Sequence, residues 1–215
     1  MPEATDRRFE LLGAETGNCL RVSVALEVLG LPYAAVPVDL RRAEHRSPAF
    51  LAINPDGRVP VLVDRSQPEA PLTLTQSNAI LFHLCDLQPG ALLPVEAGPA
   101  RSIALERFFY FVTDVIAPNG NAFFLKHRVK AEGADHLAQR SIEAIVASER
   151  FLDDGYMAGD AFSLVDIAAV TVIRASADRL DWPSLPRLRS WFETVVTRPD
   201  VRRGLAAFAS PGSNM

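Results

Sequence analysis

Residues 13–22, GAETGNCLRV, place three polar side chains just before an apolar-periodic segment: Thr16, Asn18 and Cys19. Cys19 is the obvious candidate nucleophile, because a cysteine thiolate is reactive. Thr16 and Asn18 can each donate a hydrogen bond to a thiolate. A threonine hydroxyl needs a neighbouring base to act as a nucleophile, and none is evident nearby. From residue types alone, Cys19 is the candidate nucleophile, and Thr16 and Asn18 are either hydrogen-bond donors to a thiolate or only turn and cap residues.

The bulk composition excludes several classes of protein. Of 215 residues, 48% are hydrophobic and 22% are charged, which is typical of a globular chain. The net charge of −4 comes without a basic block, so nucleic acid is not the expected partner. No apolar run approaches about 18 residues, and the polar start MPEATDRRFELL does not resemble a secretory signal. We therefore expect neither a membrane span nor export.

The cysteine and histidine counts narrow the choice further. Two cysteines cannot form a disulfide framework, which favours a reducing, cytoplasmic location. The four histidines show no metal-ligand spacing, so no metal site is expected. The sequence contains neither a C-x-x-C motif nor a glycine-rich phosphate loop.

Residues 1–88 mix strand and helix patterns. A strand, a helix and a strand predict a parallel βαβ unit, and two short strands followed by a helix complete the half. Gly30 and Pro32 are stop signals for the first helix. The predicted elements, in order, are strand 8–14, helix 18–29, strands 33–40, 58–64 and 71–75, and helix 77–87.

The second half has an almost purely helical period. Residues 89–99 are rich in Pro and Gly and are interpreted as a linker. Ser163 and Asp166 have the spacing of a capping box at the start of one helix. The sequence thus predicts an α/β domain over residues 1–88 and an all-α domain over 100–215. The predicted helices of this domain are 100–126, 134–153, 162–176 and 185–199.

These features resemble the cytosolic glutathione S-transferase superfamily over nearly the whole chain. The resemblance implies a thioredoxin-like N-terminal domain and the family's all-helical C-terminal domain. TGN before a helix is similar to the Thr-Pro-Asn turn of the nu-class and yeast prion-regulator-like subgroup, with Gly17 in place of proline. Gln76 departs from the Glu or Asp of many members. The stretches that carry the resemblance are TGNCLRVSVALEVLGLPY, AEHRSPAFLAINPDGRVPVLVD, LTQSNAILFHL and FSLVDIAAV.

The resemblance implies which side chains act on sulfur. In the family, the activating hydroxyl precedes the Arg/Lys-Val pair of the first helix by five residues, which places it at Thr16. Asn18 falls where the subgroup has its asparagine. Cys19 lies one residue further, or about 100° around a helix, and is expected to point away from the bound sulfur.

The resemblance also implies the remaining glutathione contacts. A cis Val59–Pro60 bond would expose the Val59 backbone to the cysteine of glutathione, whereas the pattern alone equally allows a trans edge strand. Ser77, a good N-cap, would receive the γ-glutamyl carboxylate together with Gln76 at a helix N-terminus. The glycyl carboxylate would be bound by His45 or Arg58, although a loop histidine is commonly only solvated.

The helix over 100–126 is expected to border the second-substrate pocket. An aromatic stripe on a helix is usually core, but apolar and aromatic side chains also line ligand clefts. We expect one or two of the following residues to contact the second substrate: Tyr110, Phe111, Val115 and Asn119.

The resulting hypothesis is a homodimeric glutathione transferase with glutathione as co-substrate and no permanent cofactor. Thr16, Asn18 and the helix N-terminus would stabilise the thiolate, which would then attack a small electrophile or reduce a disulfide or peroxide. One alternative is a non-catalytic glutathione-binding regulatory or scaffold protein. Another is a glutaredoxin-type oxidoreductase that uses Cys19, which has no second cysteine to support it.

Overall fold

The computed structural model describes residues 8–209. The chain forms two compact units, one containing residues 8–88 and 198–209 and the other containing residues 89–197. The first unit has the βαβ-ββα order and the second is helical, which confirms the predicted fold class. In the described part of the chain, no helix is long and apolar enough to cross a membrane.

The first unit is built on a four-stranded mixed sheet with strand order β2-β1-β3-β4. Strands β1 and β2 are parallel, whereas β1 with β3 and β3 with β4 are antiparallel. The register pairs Gly13 with Pro37, Leu12 with Val61 and Leu62 with Leu74. The strands are β1 (Phe9–Gly13), β2 (Tyr33–Pro37), β3 (Val61–Asp64) and β4 (Leu72–Leu74).

Helix α1 (Gly17–Val28) joins β1 to β2 and is buried from Cys19 to Leu26. It ends where the sequence predicts, because Gly30 adopts a left-handed φ of +62° that favours glycine. Helix α3 (Ser77–Leu87) follows β4. Both helices therefore begin at loops that leave the same end of the sheet.

A short helix, α2 (Pro48–Ile53), lies in the segment that the sequence analysis left without an element. Ser47 caps it by accepting a hydrogen bond from the Phe50 N–H at 3.2 Å, and Pro48 occupies the first turn. A serine followed by proline is a helix-start signal, but six residues are too few to show helical periodicity.

The last helix lies in a different unit from the one that the sequence predicts for it. Helix α9 (Pro199–Leu205) packs on α1 in the first unit, whereas the sequence placed all of 100–215 in one domain. The Ser23 hydroxyl donates to the Gly204 carbonyl at 2.7 Å, and Arg203 pairs with Glu27 at 2.7 Å. The predicted helix 185–199 includes Pro199, but proline is suited to the first position of a helix, and α9 begins there.

The second unit contains five α-helices with their bounds as follows: α4 (Pro99–Tyr110), α5 (Ala117–Phe124), α6 (Ala134–Ala147), α7 (Leu164–Arg174) and α8 (Pro186–Thr197). The predicted capping box is confirmed, since Asp166 Oδ2 accepts from the Ser163 N–H and hydroxyl, both at 2.9 Å. Its other oxygen accepts from Trp191 Nε1 at 2.8 Å. These bonds fix the start of α7 to α8.

The predicted single helix over 100–126 is wrong in detail. Two π-helical segments, Phe111–Ile116 and Leu125–Val129, interrupt it. Pro118 explains the first, because proline has no N–H and its ring collides with the carbonyl four residues earlier, at Asp114. The Ala117 N–H accordingly bonds to the carbonyl of Val112, five residues back.

We expect Gly204→Ala to lower the free energy of unfolding by roughly 1–3 kcal/mol, because an added methyl overpacks a tight contact. Its Cβ would lie 2.4 Å from the Cα and 2.6 Å from the N of Val24. Gly120→Ala in α5 is the matched control, since its Cβ would meet nothing within 4 Å. Urea unfolding followed by circular dichroism compares them. An equal effect of both substitutions would contradict the close packing of α9 on α1.

Candidate functional site: a polar cluster at two helix N-termini

The sequence-predicted residues of the first unit gather at one end of its sheet. Thr16 and Asn18 follow β1, and His45 follows β2. Val59 precedes β3 and Gln76 follows β4, and the antiparallel register of these two strands brings their positions side by side. This end of the sheet is therefore the candidate site.

Thr16 is the N-cap of α1. Its hydroxyl accepts from the Cys19 N–H at 3.5 Å and donates to Cys19 Sγ at 3.1 Å. The interpretation of Thr16 as a cap residue is thus realised in the structure, and its hydroxyl hydrogen is engaged by Cys19.

Cys19 itself has no exposed surface. Burial raises the pKa of its thiol, although the hydrogen bond from Thr16 opposes the shift. A buried thiol with a raised pKa is neither accessible nor ionised at neutral pH, so the glutaredoxin-type alternative loses its nucleophile.

Asn18, in contrast, is exposed in the first turn of α1. Its side-chain oxygen accepts a hydrogen bond from Arg21 Nη1 at 3.1 Å. The same nitrogen donates to Ser77 Oγ at 3.1 Å and lies 3.3 Å from Asn78 Oδ1. These four residues, here called the Arg21 cluster, tie the N-terminus of α1 to that of α3.

Arg21 is the member that sequence reasoning missed. Its side chain is 1% exposed, and among residues 8–209 no carboxylate lies within ion-pair distance of it. Burial lowers its pKa to about 10, so the guanidinium is still charged at neutral pH. The available signal was an arginine inside the apolar run CLRVSVAL, three residues after Asn18 and thus on the same helix face.

Ser77 is the first residue of α3 rather than its N-cap. Gln76 holds the cap position, with an exposed side chain that makes no capping hydrogen bond. The Ser77 hydroxyl is instead engaged by Arg21. The first N–H groups of α3 have no intrahelical partner, which makes this end of the helix suitable for an anion.

The Val59–Pro60 peptide bond is cis, as the family resemblance implies. Within residues 8–209, no hydrogen bond ends on the backbone N–H or C=O of Val59. These two groups are thus available to an extended ligand backbone.

His45 lies in a short 3₁₀ helix (Glu44–Arg46), and Arg58 lies in the loop that precedes β3. The His45 carbonyl would be 2.8 Å from a Cβ added at Gly57, which shows how closely these two segments approach. The His45 ring is half-buried and its Nδ1 is enclosed without a hydrogen-bond partner. Arg58 has an exposed side chain, and its carbonyl accepts from Asn54 at 2.7 Å.

The four second-substrate candidates have different environments in the helical unit. Phe111 and Val115 are fully buried. The Tyr110 hydroxyl donates to the Ala144 carbonyl at 2.8 Å. Asn119 borders a cavity of about 420 Å³, lined also by Phe123, Lys126, His127, Gln139 and Arg179. Asn119 is thus the candidate with open space beside it.

Metal chemistry finds no support in the donor set. In the part of the chain that the structure describes, no group of three or more His, Cys, Asp or Glu side chains could hold a metal ion.

Comparison with protein families matches both units. Residues 10–86 match the N-terminal domain of glutathione S-transferase, and residues 112–199 match its C-terminal domain.

Individual relatives match over most of the chain. A maleylacetoacetate isomerase of Pseudomonas aeruginosa is 34% identical over 85% of this chain and 88% of its own. The disulfide-bond oxidoreductase YfcG of Escherichia coli is 27% identical over 92% of this chain and 94% of its own. A Burkholderia graminis glutathione transferase, crystallised with two glutathione molecules per subunit, is 27% identical with a TM-score of 0.83, covering 99% and 92% of the two chains.

We expect both thiols of the native protein to resist an aromatic disulfide reagent at neutral pH, because Cys19 is 0% and Cys85 5% exposed. Free glutathione is the control thiol and should react at once. Unfolding the protein in denaturant should release two reactive thiols. Rapid labelling of native Cys19, located by mass spectrometry, would show that the helix end is open to reagents and would restore Cys19 as a nucleophile.

Proposed function

The chain belongs to the glutathione S-transferase family, and from this premise we propose that it binds glutathione at the Arg21 cluster and transfers its thiolate to a small electrophile. The observation that carries the proposal is the cluster itself. A buried cation and two helix N-termini meet there, and no carboxylate among the described residues pairs with Arg21. Such a site favours an anionic ligand, and glutathione supplies carboxylates and an ionisable thiol.

The binding mode follows from the available groups. The γ-glutamyl carboxylate meets Ser77 and Gln76 at the N-terminus of α3. The unpartnered Val59 N–H and C=O pair with the backbone of the ligand's cysteine, as an added strand would. His45 binds the glycyl carboxylate, with Arg58 as the alternative. The enclosed Nδ1 of His45 leaves Nε2 as the ring nitrogen that meets the ligand.

Asn18 carries the larger part of the thiolate stabilisation. Its oxygen faces Arg21, so its amide N–H groups face outward. Thr16 is the second group, and it reaches the ligand only when its hydroxyl turns away from Cys19. A hydrogen bond to a charged group is worth roughly 1.5–3 kcal/mol and a helix N-terminus roughly 0.3–1. At about 1.36 kcal/mol per pKa unit, this lowers the thiol pKa from about 8.5 by one to three units.

The thiolate then reacts without a covalent enzyme intermediate. With an electrophilic carbon, a C–S bond forms and the leaving group departs with the electron pair. With a disulfide, the thiolate attacks one sulfur and the other leaves as a thiolate. The similarity to an Escherichia coli disulfide-bond oxidoreductase favours testing both reactions. Asn119 is the first candidate for contact with the second substrate, and Tyr110 is the second candidate.

We further propose that the protein is a cytoplasmic homodimer without a permanent cofactor. Cys19 and Cys85 are buried and are not joined in a disulfide, which fits a reducing compartment. On α4, Ile103 and Phe109 are 38% and 51% exposed, and exposed apolar side chains are suited to a partner surface.

Asn18→Ala should raise the pKa of the bound glutathione thiol by roughly one to two units, since one charge-assisted hydrogen bond is lost. Thiolate absorbance against pH measures it, and turnover at pH 7 should fall in parallel. Cys19→Ala is the control and should leave both quantities near wild type. Inactive Cys19→Ala beside normal Asn18→Ala would contradict this assignment. Glutathione binding without turnover on any electrophile or disulfide would favour a regulatory or scaffold protein.

A truncated ligand tests His45. γ-Glutamylcysteine, which lacks the glycine, should bind the wild type roughly tenfold or more weakly than glutathione, because a charge-assisted contact is lost. The two ligands should differ much less in a His45→Ala protein, where that contact is already absent. Arg58→Ala is the comparison variant. Calorimetric titration gives the six affinities of the two ligands for the three proteins, and an unchanged ratio in His45→Ala removes His45 from the site.

A further inference from the structure

Arg21 can act only as a hydrogen-bond donor in the Arg21 cluster. A guanidinium carries only hydrogen-bond donors and cannot accept. Its Nη1 points to the side-chain oxygens of Asn18, Ser77 and Asn78, at 3.1, 3.1 and 3.3 Å. All three partners are amides or hydroxyls, which can both donate and accept hydrogen bonds. Arg21 therefore decides which way each of them faces.

The orientation that Arg21 imposes leaves donors pointing away from it. An asparagine whose oxygen faces the guanidinium presents its NH₂ on the opposite side. A serine whose oxygen accepts from Arg21 keeps its own hydrogen to donate. Among residues 8–209, no acceptor takes the NH₂ groups of Asn18 and Asn78 or the Ser77 hydroxyl hydrogen. The Arg21 cluster thus offers donors from two helix ends.

The charge of Arg21 has the same consequence. The side chain is 1% exposed and its Nε has no hydrogen-bond partner. The positive charge of the guanidinium is therefore only partly balanced by the residues that the structure describes. A buried charge without an opposite charge is unfavourable. The neighbouring Cys19 does not supply that charge, because burial raises the pKa of its thiol and keeps it neutral. An anion at the outer side of the cluster supplies the missing charge.

We propose that Arg21 is a positioning residue that serves two anionic groups of glutathione at once, orienting Asn18 toward the thiolate and Ser77 with Asn78 toward the γ-glutamyl carboxylate. This inference rests on the proposed function. In this proposal Arg21 does not touch the ligand. It determines that donors rather than acceptors face the ligand at two subsites.

The test separates the thiolate subsite from the γ-glutamyl carboxylate subsite by using two ligands. Glutathione reports the thiol pKa by absorbance, and S-methylglutathione, which keeps both carboxylates but has no thiol, reports carboxylate binding by calorimetry. Arg21→Gln places in the cluster an amide, which can both donate and accept. It should raise the bound thiol pKa by about one unit and weaken S-methylglutathione by about tenfold, each equal to about 1.4 kcal/mol. Arg21→Lys, which keeps a donor-only cation, should restore most of both.

Arg65→Gln is the matched control. Arg65 is an exposed arginine of the same unit and pairs with Glu10 at 2.7 Å, away from the cluster. It should change neither quantity. Normal thiol pKa and normal S-methylglutathione affinity in folded Arg21→Gln would overturn the proposal. A change at only one of the two subsites would also overturn it, because Arg21 would then not serve both.

A second variant leaves Arg21 in place and covers the case in which Arg21→Gln does not fold. Asn18→Asp substitutes an acceptor-only carboxylate that pairs with Arg21. Its melting temperature should equal or exceed that of wild type, while its bound thiol pKa should rise above that of Asn18→Ala. A lower melting temperature, or an unshifted thiol pKa, would overturn the proposal. Wild-type protein that binds no glutathione would instead overturn the proposed function on which this inference rests.

Discussion

The constraint on which the first unit depends is the burial of one positive charge. Removing a guanidinium from water is unfavourable by several kcal/mol unless oxygens replace its hydration. The oxygens that replace it at Arg21 belong to Asn18, Ser77 and Asn78. The N-termini of α1 and α3 must therefore stay within hydrogen-bond reach of each other. The geometry of the candidate site is thus a condition of folding this unit, rather than a feature added to its surface.

The position of α1 is fixed from its other half as well. The Ser23 hydroxyl bonds to the Gly204 carbonyl, and the absence of a side chain at Gly204 lets α9 approach the backbone of Val24. Glu27 pairs with Arg203 one turn further along. Arg21 thus holds the first turns of α1, and α9 holds the last.

Local signals predicted the elements that depend on local physics. Gly30 and Pro32 ended α1 where the structure ends it, and Ser163 with Asp166 formed the predicted capping box. The cis Val59–Pro60 bond followed from the family resemblance, since the pattern alone left cis and trans open. Arg21 was missed because its partners Ser77 and Asn78 are 56 and 57 residues away in sequence. The packing of α9 was missed for the same reason, since the sequence around Gly204 does not indicate that it contacts the distant Val24.

The rotation of α1 explains why the chain's own cysteine is a poor candidate for the chemistry. Successive helical residues differ by about 100°, so the turn that exposes Asn18 directs Cys19 into the core. The same periodicity places Arg21, three residues on, beneath Asn18. Asn18→Cys would place a thiol on the exposed side of this turn but would give Arg21 no amide oxygen. Under the proposed function, the asparagine at this position leaves its N–H groups to stabilise a thiolate that glutathione brings.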